Sequence, residues 1–129
     1  MGKDSVSKQR RGTFRSMEVP MERFMQPCLL FLLYDRKAHG YELIHNLSEF
    51  GFNASALDPG TVYRNLRKME EEGSVASQWD TSEGGPAKRI YQLTPEGEEA
   101  LRVWAEQLRH KIGRLTHFIE KYDSRFNSQ

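Results

Sequence analysis

Apolar residues recur along this chain at helical spacing in three successive segments. Residues 24–34 are apolar on nearly every side and predict a buried helix, with Pro27 either in its first turn or at a kink. Residues 35–39 predict a turn, and residues 41–50 predict a second helix that ends at Gly51. A short linker separates these two helices from the third.

The third helix has a marked start, a marked stop and one apolar stripe. Asp58 can cap it, and Pro59 suits the first helical position, where a missing N–H costs nothing. Gly73 is a natural stop. The apolar residues fall at i, i+4 and i+7 and predict a buried side, formed by Val62, Leu66 and Met69. Hydroxyl and cationic residues lie largely off this stripe: Thr61, Tyr63, Arg64, Arg67 and Lys68.

Two short strands follow the third helix. Residues 74–81 and 89–93 show strand patterns, and the glycine and proline residues of 83–88 predict the hairpin loop between them. Three helices followed by a hairpin predict a winged helix-turn-helix domain over residues 20–93, mainly α with a small β-hairpin. The third helix is then the recognition helix and the hairpin is the wing, with Lys88 and Arg89 at the end of its loop.

A long amphipathic helix is predicted over residues 94–122, opened by Thr94 as a cap and Pro95. Its apolar residues alternate at spacings of four and three and form a heptad seam: Leu101, Ala105, Leu108, Ile112, Leu115, Ile119 and Tyr122. A helix of about 40 Å exceeds what a small domain can cover, which predicts pairing between two chains. The alternative is that it folds back on the first helix of its own chain.

Composition limits the function further. The chain has 129 residues and a formal net charge of +1, so a nucleic-acid-binding surface must be local. Residues 1–19 predict a flexible basic arm, either a solubilising tail or a source of phosphate contacts, and residues 123–129 predict a short tail.

The single cysteine, Cys28, predicts a buried thiol and a reducing compartment. No signal peptide or membrane-length apolar run is visible, so we expect a cytoplasmic protein.

The polar side of the third helix is suited to the DNA major groove, although an ordinary solvated helix face has similar residues. Arg64 and Arg67 can each donate two parallel hydrogen bonds, either to guanine or to phosphate. Thr61 and Tyr63 can reach phosphate or a base edge. For the Tyr63 ring, packing in the core is the alternative. Lys68 is expected to contact phosphate or solvent.

Other chemistry is less well supported. Trp104, Leu108 and Phe118 are candidates for an apolar effector pocket between subunits, although helical aromatics more often belong to a core. The four histidines form no ligand cluster with the lone cysteine, and no phosphate loop or nucleophile motif is present. We therefore expect no metal, no cofactor and no catalytic activity.

From about residue 22 to residue 122 the chain resembles the PadR family of bacterial transcriptional regulators. The matching segments, in order, are Pro27 with the leucine-rich run after it, His39-Gly40-Tyr41-Glu42-Leu43, Pro59-Gly60-Thr61-Val62-Tyr63-Arg64-Asn65-Leu66, residues 66–73, Gly84-Gly85-Pro86-Ala87-Lys88-Arg89-Ile90-Tyr91 and Leu93-Thr94-Pro95-Glu96-Gly97. The resemblance implies a homodimeric repressor that binds double-stranded DNA at an inverted repeat and is released by a ligand entering near the dimer interface.

Within that family the chain is most similar to the poly-3-hydroxybutyrate-responsive repressors. The shared residues are Met21-Glu22-Arg23-Phe24-Met25-Gln26-Pro27-Cys28 and Trp79-Asp80-Thr81 before the wing. This similarity implies a polyester-granule effector. The competing function is an interaction protein, in which the winged helix is only a scaffold and the long helix binds a protein or a hydrophobic granule.

Overall fold

The structure is a computed structural model that describes residues 21–82 and 84–127. Its elements, in chain order, are α1 (Met21–Asp35), β1 (Ala38–His39), α2 (Gly40–Asn46), a 3₁₀ turn (Leu47–Phe50), α3 (Pro59–Glu71), β2 (Val75–Asp80), β3 (Lys88–Leu93) and α4 (Pro95–Phe126). This architecture confirms the predicted winged helix-turn-helix with a long C-terminal helix. The predicted basic arm, residues 1–19, lies outside the described residues, as do residues 128 and 129 of the predicted tail.

The hydrophobic core lies where α1 meets α2, α3 and the sheet. The predicted stripe of α3 is fully buried in it, since Val62, Leu66 and Met69 are almost inaccessible to solvent. Cys28 is also buried, and burial raises the pKa of its thiol to about 12. This side chain is therefore a protonated, unreactive part of the core, as its apolar neighbours in the sequence predict.

Pro27 lies inside α1, which begins at Met21, so the first-turn placement is wrong. Proline has no N–H to donate to the carbonyl group four residues earlier. Its ring is buried in the core. Because the charged residues Glu22 and Arg23 directly precede the apolar run, hydrophobic periodicity alone gave no sign that the helix begins earlier.

The sheet has three antiparallel strands in the order β1-β3-β2. The predicted hairpin is confirmed, with Val75 opposite Leu93 and Asp80 opposite Lys88. Residues 38 and 39, predicted as part of a turn, instead pair with Tyr91 and Ile90 of β3. A strand of two residues has no room for an alternating pattern, so only its backbone pairing reveals it.

The ends of α3 and the start of α4 are joined by capping contacts. The Asp58 carboxylate accepts the Gly60 N–H at 3.0 Å, and Gly73 ends the helix region with φ +85°. The Thr94 hydroxyl donates to the Gly73 carbonyl oxygen at 2.6 Å and accepts the Gly97 N–H at 3.0 Å. The C-terminal helix therefore starts in a fixed position against the end of the recognition helix.

Gly97→Ala is expected to destabilise the domain, because an added Cβ would overlap the carbonyl oxygen of Ser74 and the side chain of Leu93. Overpacking of this kind costs about 1–3 kcal/mol. Gly113→Ala is the matched control in the same helix, since its added Cβ would meet no described atom within 4 Å apart from its chain neighbours and the helix's own backbone. Thermal unfolding followed by circular dichroism should show a lower Tm for the first variant only; equal Tm values would contradict the close approach.

The seam of α4 divides into two halves with different surroundings. Leu101 and Trp104 are partly buried and pack against the core, and Ala105 and Leu108 lie beside α1. Beyond them the apolar residues are exposed, with Ile112 at 61% and Phe118 at 64%. The fold-back alternative thus holds for the first half of the helix and not for the second.

α4 is longer than predicted, ending at Phe126 rather than at residue 122. Its 32 residues extend about 48 Å at 1.5 Å per residue. Despite this length, no helix among residues 21–82 and 84–127 is apolar enough over a sufficient length to cross a membrane.

Candidate nucleic-acid interface

The N-terminal half of α3 has a small network of polar side chains. One Arg64 Nη atom donates to the Thr61 hydroxyl at 3.0 Å, and that hydroxyl lies 3.5 Å from an Asp58 carboxylate oxygen. A Cβ added at Gly60 would be 3.4 Å from the Arg64 guanidinium. The guanidinium therefore lies over the first turn of the helix, the part of a recognition helix that contacts base edges in this motif.

Asn65 holds this helix to α1 and was missed by sequence reasoning. Its side-chain amide donates to the Thr61 carbonyl oxygen at 2.9 Å, and its side-chain oxygen accepts from Gln26 at 3.3 Å. This contact and the buried stripe fix the rotation of α3 about its axis. Arg64, Arg67 and Lys68 are consequently exposed on the opposite side.

Tyr63 combines packing with exposure. A Cβ added at Gly40 would overlap its ring, so the ring lies directly on the backbone at the start of α2. The residue is nevertheless 39% exposed. The packing alternative raised by the sequence accounts for the ring, and the exposed part remains available to a ligand.

Both wing cations lie over aromatic rings. The Lys88 ammonium is 5.1 Å from the centroid of the Tyr41 ring, and the Arg89 guanidinium is 4.7 Å from that of Trp79. Trp79 and Arg89 are directly opposite each other in the hairpin register. Exposed cation–π contacts contribute about 0.5–1 kcal/mol each and restrict where the charges lie. The aromatic partners were missed, although the symmetric positions of residues 79 and 89 about the loop predict their proximity.

The recognition helix and the wing meet around Tyr91 of β3. Burial raises the pKa of Tyr91, and the negative charge of Glu70 raises it further. The positive charges of Arg89 and Arg67 lower it. The Ser77 hydroxyl of β2 donates to the Glu70 carboxylate of α3 at 2.8 Å, and Ser77 is opposite Tyr91 in the sheet, so the wing and α3 are in contact. The exposed cations of these two elements make up the charged surface.

The cations of this surface carry no acidic partner within 4 Å among residues 21–82 and 84–127; they are Arg64, Arg67, Lys68, Lys88 and Arg89. By contrast, two arginines of α4 are paired within their own helix, Arg102 with Glu99 and Arg109 with Glu106. Exposed guanidinium and ammonium groups without a counter-ion are suited to phosphate.

The candidate effector residues are not brought together within one chain. Trp104 and Leu108 are half-buried beside the core, whereas Phe118 lies about 15 Å farther along α4 than Leu108. Leu108 lines an apolar groove of about 160 Å³ between α1, the 3₁₀ turn and α4. The other lining residues are Phe24, Pro27, Cys28, Phe31, Phe50, Leu101 and Ala105.

No group of three or more His, Cys, Asp or Glu side chains in the described part of the chain is arranged to hold a metal ion. His110 and His117 are both exposed on α4.

The fold is that of the winged helix-turn-helix transcriptional regulators. The profile of the PadR-like transcriptional regulator family matches residues 29–103, more than half of the chain. The chain therefore belongs to the PadR-like family, a family of regulators rather than of enzymes.

Relatives and solved structures agree with this assignment. A transcriptional regulator of Mycobacterium tuberculosis is 34% identical over 87 residues, covering 64% of this chain and 78% of the relative. A PadR family regulator of Eggerthella lenta superposes with a TM-score of 0.70 at 24% identity, covering 88% of this chain and 97% of the other. A Streptococcus transcriptional regulator gives a TM-score of 0.67 at 26% identity, covering 78% and 96%.

Proposed function

We propose that this protein is a homodimeric, sequence-specific DNA-binding repressor that acts in the cytoplasm and is released from its operator by a hydrophobic effector. The DNA-binding part of the proposal rests on the cations of α3 and the wing, which have no acidic partner within 4 Å among residues 21–82 and 84–127. A scaffold that only binds proteins has no need of cations on both elements.

In this proposal the first turns of α3 enter the major groove. Arg64 reads a guanine edge with two parallel hydrogen bonds after leaving the Thr61 hydroxyl, which then turns to a phosphate or base. Arg67 and Lys68 contact the backbone on either side of the groove, and the exposed part of Tyr63 lies beside them. Lys88 and Arg89 of the wing contact the adjacent DNA backbone or the minor groove.

The dimer forms through the exposed half of α4. Ile112, Leu115, Ile119 and Tyr122 continue the seam whose first half is already packed on α1. A second copy offers an identical helix to cover them. Two-fold symmetry then presents two recognition helices to an inverted repeat.

Selection of bound duplexes from a random pool tests this function. Enrichment of an inverted repeat supports a dimeric regulator and supplies its operator. Absence of any enriched motif, from protein shown to be folded and dimeric, contradicts it and favours the interaction-protein alternative, which the exposed apolar side of α4 supports.

Lys88→Ala is expected to weaken binding to all duplexes alike, because a lysine on the backbone carries no sequence information. The slope of log affinity against log salt should shrink by about one. Fluorescence anisotropy with the operator and a shuffled duplex measures both effects. Lys111→Ala, an exposed lysine on α4, serves as the control. A loss confined to the operator would contradict the backbone role.

The effector is proposed to bind near Trp104 and Leu108, with Phe118 supplied by the other chain. The support is the half-buried position of Trp104 and the apolar groove that Leu108 lines. In a Trp79→Phe background Trp104 is the sole tryptophan, because the chain has two. Its fluorescence should change when a hydrophobic ligand releases DNA; an unchanged signal during release would contradict this position.

The narrower resemblance to polyester-responsive repressors supplies one specific effector, although the comparisons support only the broader family. Amorphous poly-3-hydroxybutyrate granules should displace the protein from its operator if the resemblance extends to function. Co-sedimentation with granules in the absence and presence of operator DNA tests this, since binding to granule and DNA must oppose each other reciprocally.

A further inference from the structure

His39 lies between two carboxylates that belong to different parts of the fold. Its Nδ1 is 3.1 Å from an oxygen of Glu42 on α2, and its Nε2 is 2.9 Å from an oxygen of Asp80 at the end of β2. The residue is only 7% exposed. The His39 backbone N–H also donates to the same Glu42 oxygen at 2.7 Å.

This geometry selects the protonated ring. An ionised carboxylate only accepts hydrogen bonds, and a neutral imidazole has a single N–H to donate. One of the two carboxylates would then face a ring nitrogen lone pair at hydrogen-bond distance. The imidazolium donates to both, so it satisfies Glu42 and Asp80 together.

The contacts of His39 with Glu42 and Asp80 form a clamp, which is connected to the outer end of the wing in two ways. Asp80 and Lys88 form the terminal pair of the β2–β3 register. The His39 ring contacts the Asp80 carboxylate, and the Lys88 ammonium lies over the Tyr41 ring. The Tyr41 ring in turn stacks on the His39 ring, with the ring centroids 5.4 Å apart and the planes 7° apart. Both strands of the wing are thereby anchored to the start of the helix-turn-helix.

We propose that His39, in its protonated imidazolium form, is a positioning residue that clamps the outer end of the wing to α2 and so presents Lys88 to DNA. The inference rests on the proposed DNA-binding function. Loss of the ring proton frees one carboxylate, loosens the wing and weakens operator binding. His39 itself does not touch DNA in this proposal.

The charged groups around the ring give the pH range in which the clamp is complete. Burial by itself lowers the pKa of His39, but the hydrogen bonds and charges of Asp80 and Glu42 outweigh it and raise the pKa above its ordinary 6.5. Hydrogen bonds from Ser82 lead the lowering of the Asp80 pKa to about 2. The Glu42 pKa is also lowered, first by the His39 backbone N–H and more weakly by Arg36. Lys88 adds a positive charge on the Tyr41 ring, which stacks on His39.

The direction of the pH effect follows from these shifts. A histidine whose folded-state pKa is raised contributes its full stabilisation below 6.5 and loses it as the pH rises through the folded-state value. The two carboxylates stay ionised through this range. The clamp should therefore be complete in mildly acidic solution and lost in alkaline solution.

Operator affinity measured by anisotropy from about pH 6 to about pH 8.5, across the histidine range, tests the proposal. The operator affinity of the wild-type protein should fall at least about fivefold over this range, the lower end of a typical coupling between two sites. His39→Gln should bind weakly with little pH dependence. His45→Gln, which changes an exposed histidine of α2, should keep the wild-type profile.

A second variant and a spectroscopic readout keep the test decisive. If His39→Gln does not fold, Asp80→Asn is measured in its place. In this variant the titration of the His39 ring, observed by NMR, should move to lower pH. The pH dependence of operator affinity should move to lower pH with it. Binding with the same pH slope in wild type and in the His39 or Asp80 variant would overturn the clamp and leave the proposed function intact. No binding of any duplex by wild type at about pH 6 would overturn both.

Discussion

Replacing Leu115 and Ile119 together by aspartate is expected to turn the proposed dimer into a folded monomer. Both side chains are exposed on α4 and take no part in the core, so the winged domain should survive the change. Burial of a leucine or isoleucine side chain contributes about 1.5–3 kcal/mol, and two-fold symmetry doubles the effect of each substitution. A partner helix cannot accept carboxylates in this seam without leaving unpaired buried charges.

Loss of the dimer should weaken operator binding about 10²- to 10⁴-fold, because the second recognition helix no longer binds at a high effective concentration. Sedimentation measures the assembly, circular dichroism the fold, and anisotropy the affinity. His117→Asp is the matched control, an exposed residue on the side of α4 opposite the seam. A double variant that remains dimeric, with operator affinity unchanged, would show that α4 is not the dimer interface.

Arg64→Ala is expected to cost about 1–3 kcal/mol on the operator and to relax the choice of base at one position in each half-site. The guanidinium lies over the first turn of α3, where it donates to the Thr61 hydroxyl at 3.0 Å, a contact it can exchange for a guanine. Arg64→Lys keeps the charge but lacks the planar fork, so it should recover general affinity without recovering specificity.

Affinities for the operator and for its single-base variants measure this effect. Arg109→Ala, which removes an arginine already paired with Glu106 on α4, should change neither affinity nor specificity. An equal loss on every sequence in Arg64→Ala, with full recovery in Arg64→Lys, would assign Arg64 to a phosphate instead of a base.

Features determined by neighbouring residues were predictable from the sequence. Asp58, Pro59 and Gly73 define the recognition helix because capping, a first-position proline and a positive-φ stop are local effects. The buried stripe of α3 and the wing hairpin follow from periodicity for the same reason. The charged surface could therefore be predicted down to individual residues.

Features that depend on distant contacts were not predictable. The pairing of Ala38 and His39 with β3 and the close approach of Gly97 to Ser74 need partners that only the folded chain brings near. His39 reaches Asp80 across 41 positions, so no spacing in the sequence reveals the contact. The seam of α4 was visible, but periodicity does not show that its first half already packs on α1.

The affinity of the wild-type protein for its selected inverted repeat and for a shuffled duplex, followed against salt, tests the central claim most directly. We expect two chains per operator, a steep negative salt slope for both duplexes and an operator affinity at least about 10³-fold higher. Equal affinity for operator and shuffled duplex at every salt concentration would contradict sequence-specific recognition by α3 and the wing.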